Sequence, residues 1–420
     1  MTTLNVKHVA RIEGHGDITI DVKDGVVKDI RMDIVEPARF FESMVKGRTF
    51  DEAPLITSRI CGICSANHAM TSILATEDAF NIEVGPKTQK MRQLLVYGSY
   101  LQNHATHLYI LASPDYLGLP SVFPLAESAR DIVERALGLK RLGNELCTLV
   151  GGRPVHPTVA VVGGFTSEPS REDLLRFADR LEAAVRDAAA TVELFGDFEI
   201  PRFETRGDLI SLLDTSTYGI VSGLIHSLDK GWSRPVSEYR DIFAEKVVGH
   251  SNSKHVYVDD DTFMASALAR VNNSWDYLLP SARVVASKVG MRPTNKNPFM
   301  NNICQAIELV DAAERCALLC REIAEDTSSV APEPVKPCAG VGRGATEAPR
   351  GTLYHTLEYD EQGRVVAGDV ITPTAQNLAN LEADMRRFAP TVVGKPREEF
   401  IADVERLVRA YDPCLSCAVH

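Results

Sequence analysis

The 420-residue chain has no run of 18 or more apolar residues, so it carries no segment long enough to cross a bilayer as a helix. Its start, Met1-Thr2-Thr3-Leu4-Asn5-Val6-Lys7, lacks the basic-then-apolar plan of a secretory leader. A basic face is missing too: 45 Lys and Arg against 57 Asp and Glu give a formal charge of −12. That removes the phosphate-neutralising surface on which nucleic-acid binding depends. No Gly-x-Gly-x-x-Gly fingerprint follows a strand pattern, so nicotinamide or flavin binding is expected of other chains. The nine cysteines are odd in number and not densely spaced, which fits a reducing, cytoplasmic compartment better than a disulfide framework. Repeats and low-complexity tracts are absent. What remains is an ordinary globular composition, 45% hydrophobic and 24% charged.

Patterning predicts a mainly helical α+β protein. Residues 18–34 alternate apolar and polar about Asp24-Gly25, and residues 352–371 do so about Asp360-Glu361-Gln362-Gly363, reading as two β-hairpins. Proline-free segments rich in Leu, Ala and Arg predict helices over about 88–112 and 125–150. A third starts at Ser170-Arg171-Glu172-Asp173, which resembles a capping box, and runs with apolar residues at helical spacing to Gly196. Helices over 302–325 and 398–411 complete the set, with Ala331-Pro332-Glu333-Pro334-Val335-Lys336-Pro337 as an extended linker.

Two Cys-x-x-Cys pairs lie at opposite ends, Cys61-Gly62-Ile63-Cys64 and Cys414-Leu415-Ser416-Cys417. Together they offer four thiolates, a soft set that selects zinc, an iron–sulfur cluster or another thiophilic metal. A zinc ribbon closes its two pairs within roughly 15–20 residues. Here nearly the whole protein separates them, so the metal would sit inside a finished fold and the chain is expected to form one domain over 1–420. The remaining cysteines, Cys147, Cys304, Cys316, Cys320 and Cys338, read as free thiols.

In their context, Arg59-Ile60-Cys61-Gly62-Ile63-Cys64-Ser65-Ala66-Asn67-His68 and Asp412-Pro413-Cys414-Leu415-Ser416-Cys417-Ala418-Val419-His420, the two pairs resemble those of the large, catalytic subunit of NiFe-hydrogenases. Further matching motifs are Arg11-Ile12-Glu13-Gly14-His15, Glu347-Ala348-Pro349-Arg350-Gly351 and Thr372-Pro373-Thr374-Ala375-Gln376-Asn377. The resemblance implies a central helical bundle with both termini meeting at a nickel–iron centre whose iron carries carbon monoxide and two cyanides. Cys61 and Cys414 would bind nickel terminally, and Cys64 and Cys417 would bridge the metals. Glu13 would take a proton from Cys414, Arg350 would stand over the metals, and Asp115 and Asp412 would counter its charge. Thr374, with Pro373 beside it, would bond a cyanide, and His68 would hydrogen-bond near Cys64. Glu42, a carbonyl near Val370 and His420 would hold magnesium or iron.

His156, in Gly151-Gly152-Arg153-Pro154-Val155-His156, would face the nearest iron–sulfur cluster of a small partner subunit. The resemblance is greatest to soluble cytoplasmic enzymes linked to NAD(P), sulfhydrogenases among them. It implies flavin-bearing diaphorase partners, maturation factors and an endopeptidase that trims the chain after His420. One departure stands out. Periplasmic and membrane-bound members carry an arginine after the residue matching Asn377, where this chain reads Leu378-Ala379-Asn380-Leu381-Glu382. Other acceptors would be deazaflavin, a heterodisulfide reductase or a bifurcating flavoprotein. Different classes would be the metal-free scaffold subunit of complex I, against which all four cysteines argue, and a structural zinc protein.

Overall fold

The computed structural model describes residues 2–420. Its helical layer is built by Pro86–Thr106, Arg130–Gly151, Arg171–Gly196 and Asn301–Glu325, which pack on one another. The Asn301–Glu325 helix is buried along nearly its whole length. Apolar faces pack outward from it, yet Asn301, Gln305 and Glu308 recur at helical spacing and are also buried, so one stripe of this central helix is polar. Buried polar side chains require partners, and these find theirs at the site described below. The cap at Ser170 forms as its sequence predicts, with Ser170 Oγ accepting from the Asp173 N–H at 3.1 Å.

Two expected helices are interrupted. The first is α-helical over Pro86–Thr106 and then widens into a π-helical turn over His107–Ala112. Such turns rotate the following side chains and recur at functional sites; this one aims the Leu111 carbonyl at Arg11 Nη1, 2.7 Å away. The second divides into Leu125–Ser128 and Arg130–Gly151, because Ala129 leaves the helical region with φ −148° and ψ 63°. The first break is followed at once by Pro114, whereas the second has no Gly or Pro at Ala129 to announce it.

Both predicted hairpins form, and each gains a third strand. Gly16–Lys23 and Val26–Ile34 are joined through Asp24 and Gly25, both at positive φ as a type I′ turn demands, and Thr2–Val6 adds to the edge. Gly351–Tyr359 and Val365–Ile371 are extended by Gly340–Ala348, whose residues pair in sequence from Gly340 with Tyr359 to Ala348 with Gly351. This strand lies directly on the Ser65–Phe80 helix. An ideal Cβ on Gly342 would stand 1.9 Å from the Ala75 carbonyl oxygen, and one on Gly344 would stand 2.4 Å from that of Thr71. Only glycine permits such an approach, and its consequence is to fix the helix that follows Cys64 against the hairpin that carries Arg350.

Residues 200–300, which pattern alone places in the mainly helical remainder, instead hold a four-stranded sheet of Asp208–Leu213, Leu224–Ser227, Ser233–Arg234 and Phe263–Met264. Asp208–Leu213 is buried on both faces for most of its length, so it shows no alternation to read. Residues 331–337 form neither helix nor strand.

The glycine contact yields a stability test. Gly344→Ala should lower stability by about 1–3 kcal/mol through overpacking, and the melting temperature of the purified protein should fall with it. Gly138→Ala, where an added Cβ meets nothing within 4 Å, should lower neither.

Candidate metal centre

The first cysteine pair is delivered by a short helical segment, Ser58–Ile60, after which Cys61 turns extended and Cys64 caps the Ser65–Phe80 helix. The second follows the Arg397–Ala410 helix. Tyr411 ends that helix, Asp412 takes φ +48°, and Cys414 caps the last short helix, Leu415–Ala418. The four sulfurs converge: Cys61 and Cys414 lie 3.6 Å apart, Cys64 and Cys417 3.5 Å, and Cys414 and Cys417 3.0 Å. All four residues are at most 5% exposed.

Each turn is held by its surroundings. Glu13 pairs with Cys414 as an isolated parallel bridge, and its carbonyl accepts the Leu415 N–H at 2.9 Å. The Cys414 N–H donates to Thr374 Oγ1 at 2.9 Å. Arg39, which no motif singled out, donates through Nη2 to the Ile60 carbonyl at 2.5 Å and also to that of Ser416. These carbonyls immediately precede Cys61 and Cys417, so one guanidinium clasps both turns.

Charge is distributed unevenly around the sulfurs. The Cys414 thiol donates to Glu13 Oε2 at 2.9 Å, the Ser416 N–H reaches the same oxygen at 3.2 Å, and the Ser416 hydroxyl donates to Oε1. Burial first, and then the neighbouring Cys414 sulfur, push the Glu13 carboxyl up to about 7. Arg350 is buried and donates through Nε to the carbonyl and Oδ1 of Asp412 at 2.9 and 3.0 Å. Asp412 Oδ2 also accepts from Gln305 Nε2 at 2.9 Å and Asn103 Nδ2 at 3.2 Å. The expected pairing of Asp115 with Arg350 is not what forms. Asp115 accepts from Arg409 Nε at 2.5 Å and Nη2 at 2.8 Å, and from Arg11. The π-helical turn is the reason, since it carries Asp115 toward the 11–13 loop and the Arg397–Ala410 helix.

His68 stands between the two bridging cysteines. Its N–H donates to the Cys64 carbonyl at 3.1 Å, its ring nitrogen lies within 4.8 Å of both the Cys64 and Cys417 sulfurs, with Nε2 3.9 Å from the latter, and Nδ1 meets His355 Nε2 at 3.2 Å. His355 Nδ1 in turn meets Ser72 Oγ at 2.9 Å, and burial pushes His68 down to about 3. The helix spacing of His68 and Ser72 hints at this chain, but His355 is contributed by a distant strand. Pro373 opens the Pro373–Val392 helix, whose first turn includes Thr374. Glu42 and His420 come within 3.5 Å of each other, and Val370 joins them through its N–H, which donates to Glu42 at 3.0 Å. Burial opposes ionisation of Glu42, but His420 and that N–H outweigh it and hold the carboxyl below its usual range. His156 sits beside the first cysteine turn, its N–H bonded to Ser65 Oγ at 2.9 Å and its Nδ1 3.0 Å from the Ser58 carbonyl.

A second buried arginine supports Arg350 from behind. Arg270 donates to Glu308 Oε1 at 2.6 Å and Oε2 at 2.8 Å, to Glu347 Oε2 at 3.1 Å, and to the carbonyls of Ala348 and Pro349 at 2.9 and 2.8 Å. Those carbonyls lead directly into Arg350. Glu308 shows the strength of the pairing: burial pushes its carboxyl up, yet Arg270 and His104 outweigh this and bring it down to about 2.

The donor set fits a nickel–iron group. Four sulfurs at 3.0–3.6 Å cannot all be anionic without a multivalent cation among them. In the bare chain burial drives the Cys417 thiol well up, and donation to Cys414 raises Cys64. Arg350 Nη1 is also buried with no hydrogen-bond partner, an orphaned donor beside these residues. Fold and site therefore define a thiolate-rich metal centre closed by both ends of one chain.

Comparison with known proteins makes the class specific. Residues 39–135 and 296–420 match the Nickel-dependent hydrogenase family, and residues 3–36 match the HoxL-like family. The chain is 37% identical to the alpha chain of sulfhydrogenase 1 of Pyrococcus furiosus, over 99% of this chain and 97% of that one. It is 33% identical to a chain of the F420-non-reducing hydrogenase of Methanothermobacter thermautotrophicus, covering 100% and 95%. With the beta chain of the NAD-reducing hydrogenase HoxS of Cupriavidus necator it shares 30%, covering 99% and 94%. The crystal structure of an NAD+-reducing [NiFe]-hydrogenase in the H2-reduced state superimposes with a TM-score of 0.90 at 27% identity, each chain fully covered. The protein belongs to the nickel-dependent hydrogenase large-subunit family.

Arg270→Lys should test the support of Arg350. Lysine keeps the charge but cannot span two carboxylates and two carbonyls. Hydrogen–deuterium exchange per nickel should fall on the order of 10²-fold, the cost of a misplaced group, with nickel retained. Near-normal exchange per nickel would show that the Arg350 turn holds without Arg270.

Proposed function

We propose that the protein catalyses reversible oxidation of dihydrogen to two protons and two electrons, and that it passes the electrons through a small iron–sulfur subunit to NAD(P) by way of diaphorase subunits. The observation that carries this reading is the convergence of four buried sulfurs beside one carboxyl acceptor and one buried guanidinium. Cys61 and Cys414 would hold nickel, and Cys64 and Cys417 would join it to iron. When bound, the nickel–iron group, with its iron-borne carbon monoxide and two cyanides, supplies heterolytic splitting of dihydrogen.

The chain's own residues then have separate tasks. Glu13 accepts the proton at Oε2, where the Cys414 sulfur stands 2.9 Å away, and burial raises its carboxyl above the usual range, which suits it to carry a proton. Arg350 presents an unpaired Nη1 and is held in place by Asp412. Asp115 acts at one remove, fixing Arg409 and Arg11 and so the approach of the last helix to the loop that carries Glu13. Thr374 anchors Cys414 through its oxygen and has a hydroxyl hydrogen left for a cyanide. Pro373 sets the start of that helix, and His68 lies against the Cys417 sulfur.

Magnesium, or iron, would be held by Glu42, His420 and the main chain at Val370. His156 would face the partner's nearest cluster. The whole of 1–420 would act as one domain in the cytoplasm, served by maturation factors and an endopeptidase. The relative named NAD-reducing hydrogenase and the solved NAD+-reducing one support the NAD(P) route, whereas those named sulfhydrogenase and F420-non-reducing hydrogenase support the hydrogen chemistry without naming that acceptor.

Elemental analysis and the infrared spectrum of the purified complex test the centre: nickel, iron and metal carbonyl and cyanide bands are expected, and zinc without bands would overturn it. Glu13→Gln should abolish hydrogen–deuterium exchange while the metals stay bound, and retained exchange would remove Glu13 from the proton path. Arg350→Lys should leave nickel, iron and bands intact and slow hydrogen cleavage by about 10²–10³-fold; near-normal turnover would refute its role.

A further inference from the structure

A second group of metal-competent side chains lies apart from the cysteines, where three elements meet. His250 stands in the loop between the strands Ala244–Lys246 and His255–Tyr257, His255 opens the second of these strands, and Glu382 projects from the Pro373–Val392 helix. One nitrogen of each imidazole and one carboxylate oxygen all lie within 4.8 Å of one another. The His250 and His255 rings stand edge to face, with centroids 5.8 Å apart.

His255 is 2% exposed, and its Nε2 is buried without a hydrogen-bond partner. An imidazole nitrogen sealed from water and left unbonded forfeits its hydrogen bonding to solvent unless something ligates it. Burial also pushes His255 down, keeping the ring neutral, which is the form that binds metal. His250 is 26% exposed at its side chain, so the group opens to solvent on that side.

Glu382 already has partners. Its Oε1 meets His250 Nε2 at 2.6 Å and accepts from the Met32 N–H at 3.0 Å, while Oε2 accepts from Arg386 Nη2 at 3.1 Å. A carboxylate has about four acceptor positions, so these contacts orient it and leave room for an ion. Donors on a tetrahedral ion at about 2.0–2.2 Å stand roughly 3.3–3.6 Å apart, and rotation of the partly exposed His250 ring is the adjustment that closes the set.

We propose that His250, His255 and Glu382 form a separate metal site that takes a divalent ion of the zinc class, with water in the remaining position. Two imidazoles and one carboxylate suit such an ion better than magnesium or calcium, which prefer a set dominated by oxygen donors. The ion ties the 247–254 loop to the Pro373–Val392 helix, whose first turn holds the Cys414 amide, and to the Val26–Ile34 strand, whose Met32 N–H and Ile34 carbonyl contact Glu382 and Asn252.

The test uses the intact, chelator-washed complex titrated with Co2+ and then Zn2+. One equivalent of Co2+ per chain should give the d–d bands of a nitrogen and oxygen site, without the sulfur charge-transfer band that cysteine ligation adds, and Zn2+ should displace it. Both His250→Ala and Glu382→Gln should weaken Zn2+ binding by more than the roughly 10–100-fold that losing an outer-shell partner costs. Nickel content, infrared bands and hydrogen–deuterium exchange should stay intact in His250→Ala. Anomalous scattering at the zinc edge should locate the ion at these three residues in the unaltered complex. Absence of Co2+ uptake, an anomalous zinc peak outside both these residues and the cysteines, or uptake unchanged in both variants would overturn the proposal, and none of these outcomes bears on the nickel–iron centre.

Discussion

Everything at this centre depends on holding two short turns, 353 residues apart in sequence, with their sulfurs in contact. Arg39 is the most direct means. Its guanidinium bonds the carbonyl before Cys61 and the carbonyl before Cys417, so neither turn can shift without disturbing the other. A rigid fork with fixed donor directions suits this task, where a flexible ammonium would not hold both at once. The first turn gains further from capping the Ser65–Phe80 helix, because the Cys64 carbonyl accepts the His68 N–H at 3.1 Å and so fixes the turn to that helix. The second turn has only one helical turn of its own and relies on Glu13 and Thr374.

Burying arginines beside a redox centre is costly unless each is paired and hydrogen-bonded. The chain resolves this by giving each guanidinium its own carboxylates: Arg350 has Asp412, Arg270 has Glu308 and Glu347, and Arg409 has Asp115 and Glu405. The polar stripe of the Asn301–Glu325 helix links these sets. Glu308 serves Arg270, Gln305 bonds Asp412, and Asn301 donates to the Ala410 carbonyl at 2.8 Å, just before the last cysteine motif. A helix that is apolar on most faces thus carries the partners that orient the site.

Much of this was legible in sequence because the chemistry is carried by short motifs of fixed spacing. Four cysteines, Glu13, Arg350 and Asp412 could be named from their immediate neighbours, and the geometry brings all of them together. The hairpins were legible for a similar reason, since Asp24-Gly25 and the 360–363 turn declare themselves locally. Arg39, Arg270 and His355 were not, because each acts through a partner between about 20 and 380 residues away and has no local pattern. The third strand, Gly340–Ala348, was missed although Gly340, Gly342 and Gly344 alternate at strand period. Alternate glycines are a signal for a strand laid against another backbone, and here they register the Ser65–Phe80 helix against the Arg350 hairpin.

The departure after Asn377 left the charge balance of the site open at the level of sequence, and the structure supplies an answer. Leu378 and Ala379 are buried, and Asn377 spends its side chain on both backbone groups of Ala265, at 2.8 Å each, with no cation near it in the 378–382 segment. With no arginine entering there, a carboxylate facing the sulfurs from the position of Asp115 would lack a counter-charge on that side. Asp115 instead turns to Arg409 and Arg11, both on segments that lead to the site: the helix capped by Tyr411 leads into Asp412, and the loop continues to Glu13. The Arg350–Asp412 ion pair is thus left beside the cysteines, while Asp115 ties Arg409, on the helix before the last cysteine motif, to Arg11, two residues before Glu13.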